Sequence, residues 1–311
     1  MNTLLYECSI PDYHADKLGG GPPTLSASIA NLLVTRSPAH AWEAHPRLGG
    51  RPGREVVSED GEVDEPESRE EKKATDDMRA GTIVHALVLG RGEDAIEVVP
   101  SEELATNGAM TTKAARARKD AAKALGRVAI AEPKMARYER AADHIRAELR
   151  RRKIDIDPKA SEVAMLWEET ADDGTIVQCR GLVDNLLLTS VWATLLDLKT
   201  GADASPLALP RKVLAFGSDL QAAAYSSGFA KIRPALAGFI DFRWLFCELR
   251  SPYAVVVAKP SGEMRELGAR RWRRAVNLWA RCLHDNSWPA YPDEIVSVEP
   301  PPWALEQEMN Q

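Results

Sequence analysis

The sequence predicts an α/β (α+β) fold in which a central mixed β-sheet is flanked by helices. Three observations predict it. Helical spacing dominates the first half of the chain, strand-like apolar runs follow one another from 162 to 200, and a single helical segment stands before a last pair of strands.

In chain order, "TLSASIANLLVTRSPAHAWEAHP" opens on Ser and Thr capping candidates, carries Ile29, Leu32 and Leu33 at helical spacing and stops near Pro38, which predicts a first helix. Residues 49–77 are rich in Gly, Pro and charge with few large apolar groups, the composition of a disordered acidic loop. "MRAGTIVHALVLGRG" predicts a short apolar helix ending at Gly90, and two polar helices are expected at about 111–126 and 132–152. Strands are expected at "EVAMLWEE", "TIVQCRGLVDNLLL" and "WATLLDLKT", then a helix through "SDLQAAAYSSGFAKI". Strands "GFIDFRWLFCELR" and "YAVVVAKP" precede a final helix from about Glu263 to His284. The expected organisation is one domain: a helical segment over 1–48, the acidic loop over 49–77 and the core over 78–311.

The 311 residues suffice for a substantial core, and the composition is that of an ordinary globular protein. No apolar run reaches the roughly 18 to 20 residues that span a bilayer, and no targeting segment opens the chain, so a cytoplasmic location and no membrane partner are expected. Cys8, Cys179, Cys247 and Cys282 form no CxxC pair, which argues against a zinc ribbon or a compact disulfide framework. The net charge of -6 is concentrated in 58–77, so basic surfaces elsewhere are masked by the total.

The stretch "GLVDNLLLTSVWATLLDLKT" (181–200) is apolar yet contains Asp184, Asp197 and Lys199. Strand alternation puts Asp197 and Lys199 on one face. If the stretch is a hairpin with its tip at Ser190 and Val191, Asp184 falls opposite Asp197, and two carboxylates about 5 Å apart repel unless a cation lies between them. A hard divalent cation, Mg²⁺ or Mn²⁺, with a lysine beside it is a kit for phosphodiester hydrolysis. The structural alternative is a hydrogen-bonded Asp184 and a strand-end Asp197–Lys199 ion pair.

Four motifs in order resemble the PD-(D/E)xK nuclease superfamily, within it the phage and prophage exonuclease VIII group, related to lambda exonuclease and RecB-type nuclease domains. They are Gly81-x-x-x-His85, Gly181-x-x-Asp184, Asp197-Leu198-Lys199-Thr200 and Gln221-x-x-x-Tyr225. "LSASIANLLVTRSPAHAW" and the ending "YPDEIVSVEPPPWA" resemble that group's outer segments. The insert at 49–77 has no counterpart, and the pattern around Arg180 departs from other members.

The resemblance implies a restriction-endonuclease-like nuclease core and a metal-dependent exodeoxyribonuclease of phage recombination in a bacterial host cell, acting on double-stranded DNA ends. It implies one or two Mg²⁺ (or Mn²⁺) ions held by His85, Asp184, Asp197 and the Leu198 carbonyl, with Lys199 as the catalytic lysine and Gln221 and Tyr225 reaching the same phosphate or water. A ring-shaped homo-oligomer and a single-strand annealing partner are further implications. Alternatives are a DNA endonuclease, an iron–sulfur nuclease, which the spacing of Cys247 and Cys282 disfavours, and an inactive DNA-binding scaffold.

Glu168 is a candidate further acid near the metals, although the strand's phase is open. Glu248 reads as a structural residue. Ser26 and Ser28 are candidate phosphate contacts or ordinary helix caps. Lys113, Arg116, Lys119, Lys123 and Arg127 recur at three- and four-residue spacing, which makes one helix face a candidate phosphate track or simply a solvated surface. Arg146, Arg150, Arg151 and Arg152 form a weaker candidate face.

Overall fold

The computed structural model describes residues 2–49, 69–91 and 95–300. Its sheet has six strands in the order β1-β4-β5-β6-β7-β8: β1 (Thr3–Leu5), β4 (Ser161–Thr170), β5 (Ile176–Leu188), β6 (Ala193–Gly201), β7 (Ile240–Glu248) and β8 (Val255–Ala258). All neighbours are antiparallel except β6 and β7. That parallel pair needs a crossover, supplied by helix α8 (Ser218–Ile232), the inserted helix the sequence marks out. The mixed α/β architecture is therefore as expected.

Helices cover both faces. On one lie α2 (Ala27–Thr35), α8 and α9 (Gly262–Asp285), enclosing Leu25, Ile29, Trp167, Leu220, Phe229, Trp272 and Trp279. On the other lie α4 (Arg69–Leu89) and α6 (Glu132–Arg151), enclosing Val84, Val88, Ile145, Leu149, Leu196, Leu198 and Leu245. Burial of such side chains is worth about 1.5–3 kcal/mol each, so the strands are fixed by what both faces cover.

Four elements depart from the expectation. The helix before Gly90 begins at Arg69, inside the stretch expected as loop; residues 50–68 of that loop lie outside the described residues. A small parallel pair, β2 (Ile96–Val99) with β3 (Val128–Ala131), flanks helix α5 (Lys113–Ala124). The N-terminus supplies edge strand β1 and the five-residue α1 (Ile10–His14). The first helix, α2, ends at Thr35 before Pro38 as expected, and the Ser37 hydroxyl caps a further short helix, α3 (Pro38–Ala44), because Pro38 cannot continue α2 but fits a first helical turn. Of the tail that carries the outer resemblance, 301–304 lie outside the described residues.

The arrangement of β5 and β6 matters most for the site. Their pairing covers only Asn185 to Leu188 with Leu196 to Ala193. Towards the start of β5 the strands part, and the edge so exposed is taken up by residues from elsewhere. Leu25 N–H donates to the Gln178 carbonyl at 2.8 Å, Arg180 N–H donates to the Leu25 carbonyl at 3.0 Å, and Leu182 N–H donates to the Tyr225 hydroxyl at 3.1 Å. A wedge-shaped notch therefore opens at the point where the pairing ends.

Candidate active site

The β5–β6 register, extended by one residue, sets Asp184 opposite Asp197 at the head of this notch, the placement hairpin arithmetic predicts. Leu195 belongs to the core under α8 while Leu196 and Leu198 belong to the core under α4, so Asp197 and Lys199 face α8 by alternation. In β5 the alternation slips: Val183 and Leu186 both reach the α8 core. Across from that slip, the β4 ladder runs from Ser161–Asn185 to Val163–Val183 and omits Glu162, whose φ is +55°. Asp184 thus sits at a kink and turns its carboxylate across the strand end.

There it is tightly held. Its Oδ2 accepts the Leu198 N–H at 2.6 Å and lies 3.1 Å from His85 Nε2 on α4. Asp197 is held separately: Oδ1 accepts from Gln221 Nε2 at 3.0 Å and Oδ2 lies 3.3 Å from Lys199 Nζ. The repulsion expected between the carboxylates is therefore already relieved by an imidazole, an ammonium and two N–H donors of the chain itself.

The electrostatics agree with this geometry. Burial alone would push the His85 imidazole down, but the charge and hydrogen bond of Asp184, with Glu162 and Asp197 behind, outweigh it and raise it above its ordinary value. Burial would likewise raise Asp184; His85, then Lys199 and the Leu198 N–H, overcome it and hold the carboxyl low. Burial raises the Tyr225 phenol to about 12, and Asp197 and Asp184 push the same way. Tyr225 therefore stays protonated and acts as a hydrogen-bonding group.

Two glycines allow these approaches. A Cβ on Gly81 would lie 2.7 Å from Thr200 Oγ1, so α4 packs against β6 closely enough for His85 to reach the sheet edge. A Cβ on Gly181 would lie 2.7 Å from Tyr225 Cε1, so the Tyr225 ring packs directly on bare backbone. The ring also meets Phe242 in an edge arrangement, with centroids 6.5 Å apart.

His85, Asp184, Asp197, Leu198, Lys199, Gln221 and Tyr225 are thus brought together. The other candidates are not. Ser26 is buried and caps α2 through Ile29 N–H at 3.4 Å, while Ser28 is exposed with its hydroxyl 3.0 Å from that of Ser26. Lys113, Arg116, Lys119 and Lys123 are exposed on α5, which packs on β2 and β3 rather than on the notch. Glu248 Oε1 accepts the Ala204 N–H at 2.9 Å, a structural role as expected.

Glu168 requires a correction. It lies at the far end of β4, roughly 20 Å along the strand from Glu162, and accepts a hydrogen bond from Gln178 at 3.0 Å. The acid beside the site is Glu162, 3.4 Å from Arg91 Nε and near enough to raise His85. The N-terminal segment also reaches the notch: Tyr13 is buried, lies near enough to Tyr225 to feel its charge, and has the Arg180 guanidinium 5.6 Å over its ring. Arg180 in turn binds buried Asp16 at 2.8 Å and Thr24 Oγ1 at 2.6 Å.

Among the described residues no three His, Cys, Asp or Glu side chains stand close enough together to enclose a metal ion as they lie. The donor types do fit a hard divalent cation: two carboxylates, an imidazole and a strand carbonyl, in a field negative enough to raise His85 above its ordinary value.

No protein-family model matches the chain, and no curated protein matches it in sequence. Among solved structures it is similar to a protein designated "Putative exonuclease" from Eubacterium rectale, at 12% identity and TM-score 0.51, over 96% of this chain and 97% of that one. A second, SSO0001, aligns over 63% of this chain and 85% of its own at 12% identity and TM-score 0.26. The first likeness extends over nearly the whole of both chains, and what is shared is the fold. No helix among the described residues is long and apolar enough to cross a membrane.

Proposed function

We propose that this chain is a metal-dependent nuclease that hydrolyses DNA phosphodiesters, with its active centre where β5 and β6 part. The observation that carries the reading is the meeting of His85, Asp184, Asp197, Lys199 and Gln221, drawn from two strands and two helices, in one notch. The fold shared with a protein designated an exonuclease supports it. End-dependent digestion of double-stranded DNA in phage or prophage recombination, an oligomeric ring and an annealing partner rest on the motif resemblance.

Asp184, Asp197, His85 and the Leu198 carbonyl would hold one or two Mg²⁺ or Mn²⁺ ions. Bound there, a divalent cation supplies Lewis acidity towards a phosphate oxygen and makes water a better nucleophile. The chain's own groups do the rest. Asp197 fixes the Lys199 ammonium, which orients water and offsets charge on the phosphate. Gln221 holds Asp197 from the other side and presents its amide to the notch, and the protonated Tyr225 phenol braces Gln221 and the β5 edge. His85 stands 3.1 Å from Asp184 Oδ2, and its imidazole, when neutral, would be a ligand to the cation.

One observation favours a second reading, a DNA-binding scaffold without activity: each carboxylate is already neutralised by a partner in the chain. Linear and covalently closed duplex DNA, incubated with Mg²⁺ or chelator, separate the two. The nuclease degrades linear DNA only with Mg²⁺ and loses the activity in Lys199→Ala; nicked circles identify an endonuclease. Binding with no hydrolysis in Mg²⁺ or Mn²⁺ establishes the scaffold.

A further inference from the structure

Helix α7 (Leu209–Ala215) belongs to the segment that leaves β6 just past Lys199 and returns to α8 three residues before Gln221. Both ends of this segment are therefore anchored on the candidate site. Its surface is unusual for so polar an environment: Leu207 is 95% exposed, Phe216 42% and Leu214 40%. Leu207, Ala208, Ala215 and Phe216 line an open groove of about 630 Å³, with Arg211 and Lys212 beside them. No acidic side chain lines it, although Lys212 is tied back to Asp203 at the start of the segment.

From this groove we infer a binding platform for unpaired nucleotides at a DNA end, the bases lying on Phe216 and Leu207 and the phosphates against Arg211 and Lys212. The inference rests on the nuclease reading for its DNA, and deepens it by naming the form of DNA that is held. Unstacked bases expose π-faces that an aromatic ring can cover, whereas bases inside a duplex do not. The cationic lining complements a phosphate backbone.

The test uses the full chain in chelator, where no cleavage intervenes. Binding is measured by fluorescence anisotropy to a blunt duplex and to the same duplex with a single-stranded overhang ending in 2-aminopurine. The overhang is expected to bind more tightly, with quenching of the fluorescent base. Phe216→Ser should weaken overhang binding about tenfold and abolish the quenching. Arg211→Ala should lower the slope of log affinity against log salt by about one. Both side chains are exposed, so unfolding midpoints should stay at the wild-type value, which separates lost binding from lost fold. Unchanged affinity and quenching in Phe216→Ser overturn the platform, as does a change in the sedimentation of DNA-free protein, which makes the groove a contact between copies. Should the wild type cut DNA while these variants bind normally, only the platform fails; overhang binding through Phe216 without cleavage in Mg²⁺ sinks the nuclease reading instead.

Discussion

Gly181→Ala probes how closely the notch is packed. The added Cβ would stand 2.7, 3.0 and 3.2 Å from Cε1, Cδ1 and Cζ of Tyr225. Carbon atoms rest at about 3.5–4.0 Å, so the ring must retreat by roughly 1 Å. It cannot do so freely, because Phe242 packs against it and its hydroxyl accepts the Leu182 N–H at 3.1 Å. Overpacking of this kind costs about 1–3 kcal/mol, and a buried N–H left without a partner about 1–3 more. The expected loss is therefore about 2–6 kcal/mol, read from urea unfolding as a lower midpoint at unchanged slope. A double-mutant cycle isolates the cause: in a Tyr225→Ala background there is no ring to meet, and most of the penalty should vanish. A loss under about 0.5 kcal/mol, or the same loss with and without the Tyr225 ring, refutes the reasoning.

Glu162→Gln keeps the shape and removes a carboxylate that raises His85, so an NMR titration should show the His85 value falling towards its ordinary one; no change removes Glu162 from the site. Asp16→Ala strips the counter-charge from Arg180, which is only 4% exposed, and should cost about 3–5 kcal/mol in urea unfolding; a loss below 1 kcal/mol contradicts the buried pair. His45 is depressed to about 4, by burial first and then by Arg180, so the unfolded chain binds its proton at higher pH than the folded one. Stability should therefore fall as pH drops from about 6.5 towards 4, measured as a shrinking urea midpoint, and a flat profile counts against a buried neutral imidazole.

The sequence carries the site further than it carries the molecule. Asp184 opposite Asp197 follows from strand period and hairpin length alone, and Gln221 with Tyr225 follows from one helical turn, because these relations are local. Glu162 was out of reach for a physical reason: it occupies a left-handed backbone position that breaks the β4 ladder, so no alternation rule could phase it against Glu168. Tyr13, Asp16 and Arg180 are joined across more than 160 residues, and nothing periodic announces such a contact. Composition also hid the start of α4, since charged residues from Arg69 read as loop until Val84 and Val88 give the helix a core to pack on.

We propose that Asp184 and Asp197 would hold a divalent cation where they meet, with His85 as a further ligand. Calorimetric titration of the full chain with Mn²⁺, in two buffers of different ionisation enthalpy, tests it without any substrate. Saturable binding with proton release is expected, tighter as pH rises because an imidazole must be neutral to act as a ligand, and lost in Asp184→Asn. Equal Mn²⁺ binding by Asp184→Asn, or none by the wild type at any pH, contradicts it.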